Sequence, residues 1–169
     1  MNPLLVVDGY NIIGAWELAE QKGWSFEECR AQLLARLEEY AAYHALEAVL
    51  VFDGTRSERL IRSEEQVGAV RVVYTRHGET ADQYIERLCD GQPRHREVRV
   101  ATSDAVEQTV ILGRGASRLP ARELLREMAQ ARAAQRAQIE RPRLKYSPLI
   151  GRLPQAQQEA LERMRRGGK

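Results

Sequence analysis

Short apolar segments alternate along the chain with longer stretches of helical periodicity, and this alternation limits the possible fold more than any other feature. The segments predicted to be buried strands are Leu4–Asp8, Ala48–Phe52, Val70–Tyr74 and Val98–Ala101, with a shorter candidate at Ala116–Leu119. Apolar residues spaced three or four apart predict helices between several of these strands. This order predicts an α/β fold with a mainly parallel sheet and helices on both faces.

Capping patterns mark where the predicted helices begin. The pairs with the spacing of a capping box are Ser25 with Glu28, Thr80 with Gln83 and Asp104 with Glu107. The apolar repeat of the first helix consists of Phe26, Cys29, Leu33, Leu37, Tyr40 and His44. The polar segment 54–66 is predicted to be a loop or a short helix.

A long helix is predicted near the C-terminal end, from Pro120 to about Ile139. Pro142 is expected to end it, because proline lacks the backbone donor that a helix interior needs. Residues 142–154, with three prolines, are predicted to form a loop. Residues 155–166 are predicted to form a short terminal helix.

Charge is unevenly distributed. Residues 1–113 contain 12 Lys and Arg against 19 Asp and Glu, whereas residues 114–169 contain 14 against 5. Almost all the basic residues are arginines, whose planar guanidinium suits phosphate. The basic end favours a polyanionic partner, although a solvated helix face would have the same charge. We expect a domain of residues 1–141 and a basic extension of residues 142–169 that packs on it.

Composition disfavours several protein classes. No apolar run approaches the about 20 residues of a membrane-spanning helix. The N-terminal segment lacks the basic leader and cleavage site of a secretory signal. Cys29 and Cys89 form no CxxC pair and are expected to be buried hydrophobes in a reducing compartment. A cytoplasmic protein without membrane contact is therefore expected.

Carboxylates follow the predicted strands at the edge where ligands of parallel sheets bind. The acidic residues expected there are Asp8, Asp53, Glu79, Asp82 and Asp104. Their mutual repulsion and hard oxygen donors favour Mg²⁺ or Mn²⁺, which would assist hydrolysis of a phosphodiester. Each residue also has a structural interpretation, as a turn residue or as a helix cap. Their convergence favours the functional interpretation.

Other chemistries lack their sequence patterns. The three histidines have no metal-ligand spacing, and no GxSxG nucleophile motif is present. Gly113-Arg114-Gly115 does not match a Walker motif, so no nucleotide cofactor is expected.

Four ordered motifs resemble those of the YacP-like branch of NYN domains, within the PIN-like nuclease superfamily. The motifs are VVDGYNIIG at 6–14, VFDG at 51–54, ETAD at 79–82 and ATSDAVEQ at 101–108. The resemblance implies a PIN-like three-layer α/β/α sandwich. It also implies a metal-dependent endoribonuclease that cleaves single-stranded mRNA, in association with the ribosome and with Mg²⁺ or Mn²⁺.

The resemblance also assigns roles to individual residues. Asp8 and Asp82 would be the central catalytic, metal-binding pair, and Asp104 a further ligand. Glu79 would complete the set of metal ligands, and Asp53 would line the site on the substrate side. Asn11 would position the first loop or contact substrate.

Other residues are candidates for binding RNA, and the resemblance does not assign them. The candidates for contact with the RNA chain are Arg56, Arg59, Arg62 and Ser103. Tyr10 or Trp16 would stack on an unpaired base, although a tryptophan at this place is more typical of a core.

The third motif departs from the family pattern. A second acid often follows its aspartate, whereas this chain has Gln83, which leaves one fewer possible ligand. Two alternatives to the nuclease therefore remain. One is a PIN-like module that binds RNA or the ribosome without cutting, and the other is a metal-dependent phosphatase of small substrates.

Overall fold

A single sheet forms the centre of the protein. The computed structural model describes residues 1–54, 62–103 and 115–152. The strands are β1 (Leu4–Asp8), β2 (Glu47–Phe52), β3 (Ser63–Val67), β4 (Val70–Tyr74), β5 (Val98–Ala101) and β6 (Ser117–Leu119). Among the described residues they form one sheet in the order β3-β4-β2-β1-β5-β6. All neighbours are parallel except β3 and β4. The predicted α/β fold with a mainly parallel sheet is confirmed.

Helices connect the strands. They are α1 (Gly9–Gly14), α2 (Glu17–Lys22), α3 (Phe26–Tyr43), α4 (Ala81–Asp90) and α5 (Ala121–Arg152). The chain divides into two compact units, Met1–Arg132 and Ala133–Lys169. The described part of the second unit is helical. The predicted domain boundary after residue 141 stays a prediction.

The central strands of the sheet are buried on both faces, and their successive side chains enter opposite cores. On one face Leu5, Val7, Leu50 and Phe52 join a core with residues of α3 and α5. On the other face the intervening residues of the same strands pack with α4. That second core includes Leu4, Val6, Val49, Val51, Ala81 and Ile85. These two cores place helices on both faces, which confirms the three-layer architecture.

The segment 54–66 differs in part from the prediction. Ser63–Val67 is an edge strand that forms an antiparallel hairpin with β4. Its central residues are exposed and polar, so no apolar alternation marked it as a strand. Gly68, with φ of 57°, provides the positive φ in the two-residue turn of the hairpin.

The start of the first long helix also differs in detail. Cys29, Leu33, Leu37 and Tyr40 are buried, as the apolar repeat predicts. Phe26 is 41% exposed and His44 is exposed, because both lie at the ends of the helix, beyond the part that packs on the sheet. Ser25 caps α3 by accepting a hydrogen bond from the Glu28 amide.

The predicted end of the last helix is wrong. Helix α5 continues through Pro142 to Arg152, over residues expected to form a loop. A proline inside a helix removes one backbone hydrogen bond and costs about 3 kcal/mol, but it does not forbid the helix. The preceding turns are rich in Ala, Arg and Gln, which are strong helix formers. The helix predicted over residues 155–166 lies outside the described residues.

A buried polar link joins α3, β5 and α5. The Tyr40 hydroxyl donates to Glu127 Oε2 at 2.5 Å and accepts from Arg99 Nη2 at 2.9 Å. Burial of the phenol and its hydrogen bond to Glu127 raise the pKa of Tyr40. The link therefore holds a neutral phenol between an arginine and a glutamate.

The described residues contain no helix that is both long and apolar enough to cross a membrane. Cys29, a residue of α3, is buried in the core, and Cys89, a residue of α4, is partly buried. The predicted role of a small buried hydrophobe thus holds for Cys29, whereas Cys89 is only partly buried.

Candidate active site at the carboxyl edge of the sheet

Asp8 closes the central strand of the sheet. It is the last residue of β1, which lies between β2 and β5, and it is only 8% exposed. Its register partner on β2 is Val51, so Asp53 follows just beyond it at the same edge. Both aspartates are thus at the carboxyl edge, as predicted.

The loop after β5 is tied to the helix after β1. The Ser103 amide donates to Asn11 Oδ1 at 2.7 Å. Asn11 lies in α1, whose first residue directly follows Asp8. This bond fits the predicted role of Asn11 in positioning the first loop, while contact of Asn11 or Ser103 with substrate stays a prediction.

Helix α4 starts against the loop after β2. Its first amide, that of Ala81, lies 3.4 Å from Asp53 Oδ2 and donates to it. Thr80 and Gln83 form a reciprocal capping box, each amide donating to the other's side chain at 3.1 Å. Asp82 is exposed in the first turn of this helix. Asp8, Asp53 and Asp82 therefore lie at one edge of the sheet. Gln83 forms part of the N-terminal cap of α4.

A short relay fixes the backbone around Glu79. The Gly54 amide donates to Thr75 Oγ1 at 2.6 Å, and the Thr75 hydroxyl donates to the Glu79 carbonyl at 2.7 Å. Thr75 is fully buried. A Cβ at Gly54 would lie 1.6 Å from the Thr75 carbonyl oxygen, so only glycine permits this close approach.

Two arginines bind the buried side chain of Glu79. Arg62 donates Nε to Oε1 at 3.1 Å and Nη2 to Oε2 at 2.6 Å, a bidentate pair. Arg87 also forms an ion pair with Oε2. The Glu79 side chain is 3% exposed, whereas those of Arg62 and Arg87 are 34% and 58% exposed. Because two arginines pair with one glutamate, the group has a net positive charge, and both guanidinium groups reach the surface.

The Tyr84 ring packs against Arg62, one of these two arginines. The Arg62 guanidinium carbon lies 4.9 Å from the centre of the Tyr84 ring, a cation–π contact. Burial raises the pKa of the Tyr84 phenol, against the opposing effect of the neighbouring Arg71. Sequence reasoning missed Arg87, because its ion pair depends on the fold of α4 rather than on a motif.

Aromatic residues follow Asp8 in the chain and pack with residues near the start of α3. Tyr10 is exposed beside Phe26, while Trp16 is buried against Trp24. Trp16 is therefore a core residue, which is the second of the two roles that the sequence left open for it. Sequence reasoning had placed Phe26 in the core, and no local signal marks its contact with Tyr10.

Several predicted site residues lie outside the described residues, namely Arg56, Arg59 and Asp104. Within the described residues, no three His, Cys, Asp or Glu side chains are grouped so as to hold a metal ion. The donors at this edge are nevertheless carboxylate oxygens, which Mg²⁺ and Mn²⁺ prefer, and Mg²⁺ commonly takes only one or two from the protein. The chemistry of the donor set fits such an ion.

Comparison with known proteins gives consistent matches. The family model described as "YacP-like NYN domain" matches residues 5–166. YacP of Bacillus subtilis (strain 168) is 42% identical over 127 residues, which make up 74% of each chain. The crystal structure of Rae1 (YacP) from Bacillus subtilis matches with a TM-score of 0.71 and 34% identity, over 99% of this chain and 96% of that one. A mutant of the same protein matches with a TM-score of 0.71 and 33% identity, over 95% and 98%.

Proposed function

The chain belongs to the YacP-like NYN domain family, and from this premise we propose that it is a metal-dependent endoribonuclease of single-stranded RNA. The family is of the PIN-like nuclease type. The observation that carries the proposal is Asp8, an almost buried carboxylate at the carboxyl end of the central strand. Ligands of open parallel sheets bind beyond the carboxyl ends of the strands, which is where this carboxylate lies.

The acidic residues would hold a divalent cation. Asp8, Asp82 and Asp104 are the proposed ligands of Mg²⁺ or Mn²⁺. When bound, such an ion activates water and offsets the charge that builds on the scissile phosphate. The predicted fourth ligand, Glu79, binds two arginines, and we give it the role of positioning them.

The remaining residues would arrange the substrate around this centre. Arg62 and Arg87 retain guanidinium N–H groups beyond those that bind Glu79, and these would bind backbone phosphates. Asn11 holds the loop after β5, and Asp53 holds the start of α4. These contacts keep the loops of three strands in fixed positions, which catalysis by positioning requires.

The natural substrate would be mRNA on the ribosome, in the cytoplasm. Residues 114–169 contain 14 basic residues against 5 acidic ones. Such a segment supplies sequence-independent, salt-sensitive affinity for RNA, including ribosomal RNA.

Cleavage of a labelled mRNA tests the proposal. The wild-type protein is compared with Asp8→Asn, Asp82→Asn and the control Asp90→Asn, which changes an aspartate at the far end of α4. Each protein is assayed with Mn²⁺, with Mg²⁺ and with EDTA, on free mRNA and on mRNA translated by purified ribosomes. We expect cuts that require the metal, that persist in Asp90→Asn and that disappear in the other two variants. Undiminished cleavage by Asp8→Asn would refute the proposal, and cuts seen only with ribosomes would establish the ribosome as a requirement.

One observation favours a second candidate, a module that binds RNA without cutting it. Gln83 replaces the acid often found after the aspartate of the third motif, and its side chain caps α4. If wild type and Asp8→Asn bind ribosomes equally and neither cuts RNA under any metal condition, this candidate replaces the nuclease.

A further inference from the structure

Two aromatic rings are exposed and stacked on each other next to Asp8. Tyr10 is 45% exposed and Phe26 is 41% exposed. Their ring centres are 5.1 Å apart and their planes differ by 19°. Tyr10 is in α1, two residues after Asp8, whereas Phe26 is the first residue of α3. Residues from two different helices thus form one aromatic surface, and one of them follows the predicted catalytic residue Asp8 closely in the chain.

A buried ring fixes this surface in place. Phe52 is fully buried and meets Tyr10 edge-to-face at 5.5 Å and Phe26 at 6.5 Å. It also stacks on Tyr74 at 5.5 Å. A Cβ at Gly9 would lie 2.4 Å from the Phe52 ring, so glycine lets that ring pack against the backbone that follows Asp8. The exposed pair therefore has a preorganised position, and ordering it on binding costs little entropy.

A cation borders the aromatic surface. The guanidinium carbon of Arg30, which is half-buried, lies 5.7 Å from the centre of the Phe26 ring and 5.6 Å from that of Tyr74. Aromatic rings with an adjacent arginine are what a single-stranded nucleic acid needs, since its bases stack and its phosphates are anionic. A surface that served only to cover Phe52 would need neither the exposure of two rings nor the cation.

We propose that Tyr10 and Phe26 form a stacking site for an unpaired base of the RNA substrate, with Arg30 beside it. The inference rests on the proposed function, because RNA is the ligand. Tyr10 and Phe52 are close in sequence to Asp8 and Asp53, so the stacked base belongs to a nucleotide near the scissile phosphate. The site selects unpaired RNA over duplex, because bases inside a duplex offer no free face. It does not select a particular base, because every base has a π-face.

Binding measurements on a protein that does not cut test this site. In the Asp8→Asn background, fluorescence anisotropy gives the Kd of a 12-nucleotide single-stranded RNA for Tyr10→Leu, Phe26→Leu and Tyr10→Phe. The matched control is Tyr43→Leu, which removes another exposed ring on α3, 40% exposed. We expect Tyr10→Leu and Phe26→Leu to raise Kd by roughly 5- to 100-fold. Tyr10→Phe and Tyr43→Leu should leave Kd within about twofold, since stacking needs the ring and not the hydroxyl.

A second measurement needs no change to the rings. The same RNA with abasic nucleotides at successive positions is bound to the Asp8→Asn protein, and the same sequence is bound as a duplex. We expect one or two abasic positions to weaken binding as much as Tyr10→Leu does, and to show no further loss in the Tyr10→Leu protein. Equal affinity for intact and abasic RNA would overturn the stacking site, even if the leucine variants fail to fold.

The two proposals fail in different ways. If wild type cuts RNA and the leucine variants bind it with unchanged Kd, the stacking site is wrong and the nuclease stands. If wild type never cuts while binding depends on Tyr10 and Phe26, the nuclease is wrong and the stacking site stands. If the Asp8→Asn protein does not bind the RNA at all, the stacking site is refuted, and the cleavage assay decides the nuclease separately.

Discussion

The two faces of the sheet present different chemistry where they meet the carboxyl edge. On the face packed by α3, Phe52 and its neighbours lead to the exposed rings of Tyr10 and Phe26. The other core is mostly aliphatic, with Tyr84 as its aromatic member, and it leads to Arg62 and Arg87. Under the proposed function, the first face would contact bases and the second would contact phosphates.

The two sides are also held in place by different forces. The rings are positioned by packing against a buried phenylalanine, which is apolar and tolerant of small shifts. The arginines are positioned by a buried carboxylate, and its backbone is fixed by hydrogen bonds from Thr75 and through it from Gly54. A polar network of this kind fails abruptly when one member is lost. The aromatic side should therefore tolerate substitution better than the arginine side.

The largest expected difference in stability between the two sides comes from replacing Gly54 or Gly9 with alanine. We expect Gly54→Ala to lower the free energy of unfolding by at least about 3 kcal/mol, because the new methyl group meets the Thr75 backbone. Gly9→Ala meets the Phe52 side chain instead of backbone, and a small shift of that ring should limit the cost to about 1–3 kcal/mol. Gly14→Ala, with open space around it, is the control and should be neutral or slightly stabilising. Urea unfolding measures all three, and a Gly9→Ala loss larger than that of Gly54→Ala would contradict the comparison.

The next largest effect on stability is expected from the ion pairs of Glu79 with Arg62 and Arg87. The double variant Arg62→Gln/Arg87→Gln leaves the buried Glu79 carboxylate without its cations, and we expect a loss of about 2–4 kcal/mol. Glu79→Gln leaves two arginines that reach solvent, so it should cost only about 1–2 kcal/mol. Thermal and urea unfolding of both variants check the order. Greater damage from Glu79→Gln would mean that the carboxylate has another cation as its main partner.

Salt dependence of RNA binding separates the two sides further. Arg87→Gln would remove the phosphate contact proposed for Arg87, so the slope of log K against log salt should become shallower by about 0.7. Tyr10→Leu should weaken binding at every salt concentration without changing the slope, because stacking releases no counterions. Anisotropy titrations from 50 to 300 mM KCl, roughly the range over which such slopes are measured, provide the comparison. An unchanged slope for Arg87→Gln would remove this residue from the RNA-binding surface.

The smallest expected effect on stability is that of Gln83→Glu. Glutamate also fits the third position of a capping box, so the free energy of unfolding should change by less than about 0.5 kcal/mol. The variant adds a carboxylate next to Asp82, and we expect it to lower the Mn²⁺ concentration needed for half-maximal cleavage. An unchanged metal requirement would show that the side chain at 83 stays a cap and does not reach the ion.

The sequence predicted the strands well because their burial on both faces requires continuous apolar runs. The predictions failed where burial does not determine the pattern. The exposed edge strand Ser63–Val67 has no apolar alternation, and the helix Gly9–Gly14 is too short to show a helical period. At the edge, the positions of Asp8 and Asp53 follow from the strand ends. Two contacts could not be predicted from residue spacing. The stacking of Tyr10 on Phe26 joins two different helices, and the pairing of Arg87 with Glu79 depends on the direction of the side chains.

The most direct measurement is the single-turnover cleavage rate of a labelled single-stranded RNA by wild type and by Asp8→Asn, with RNA affinity measured in parallel. We expect a rate at least about 100-fold lower for Asp8→Asn, with Kd changed little, because the proposed role of the carboxylate is in the reaction more than in binding. A rate equal to that of wild type would contradict the proposal.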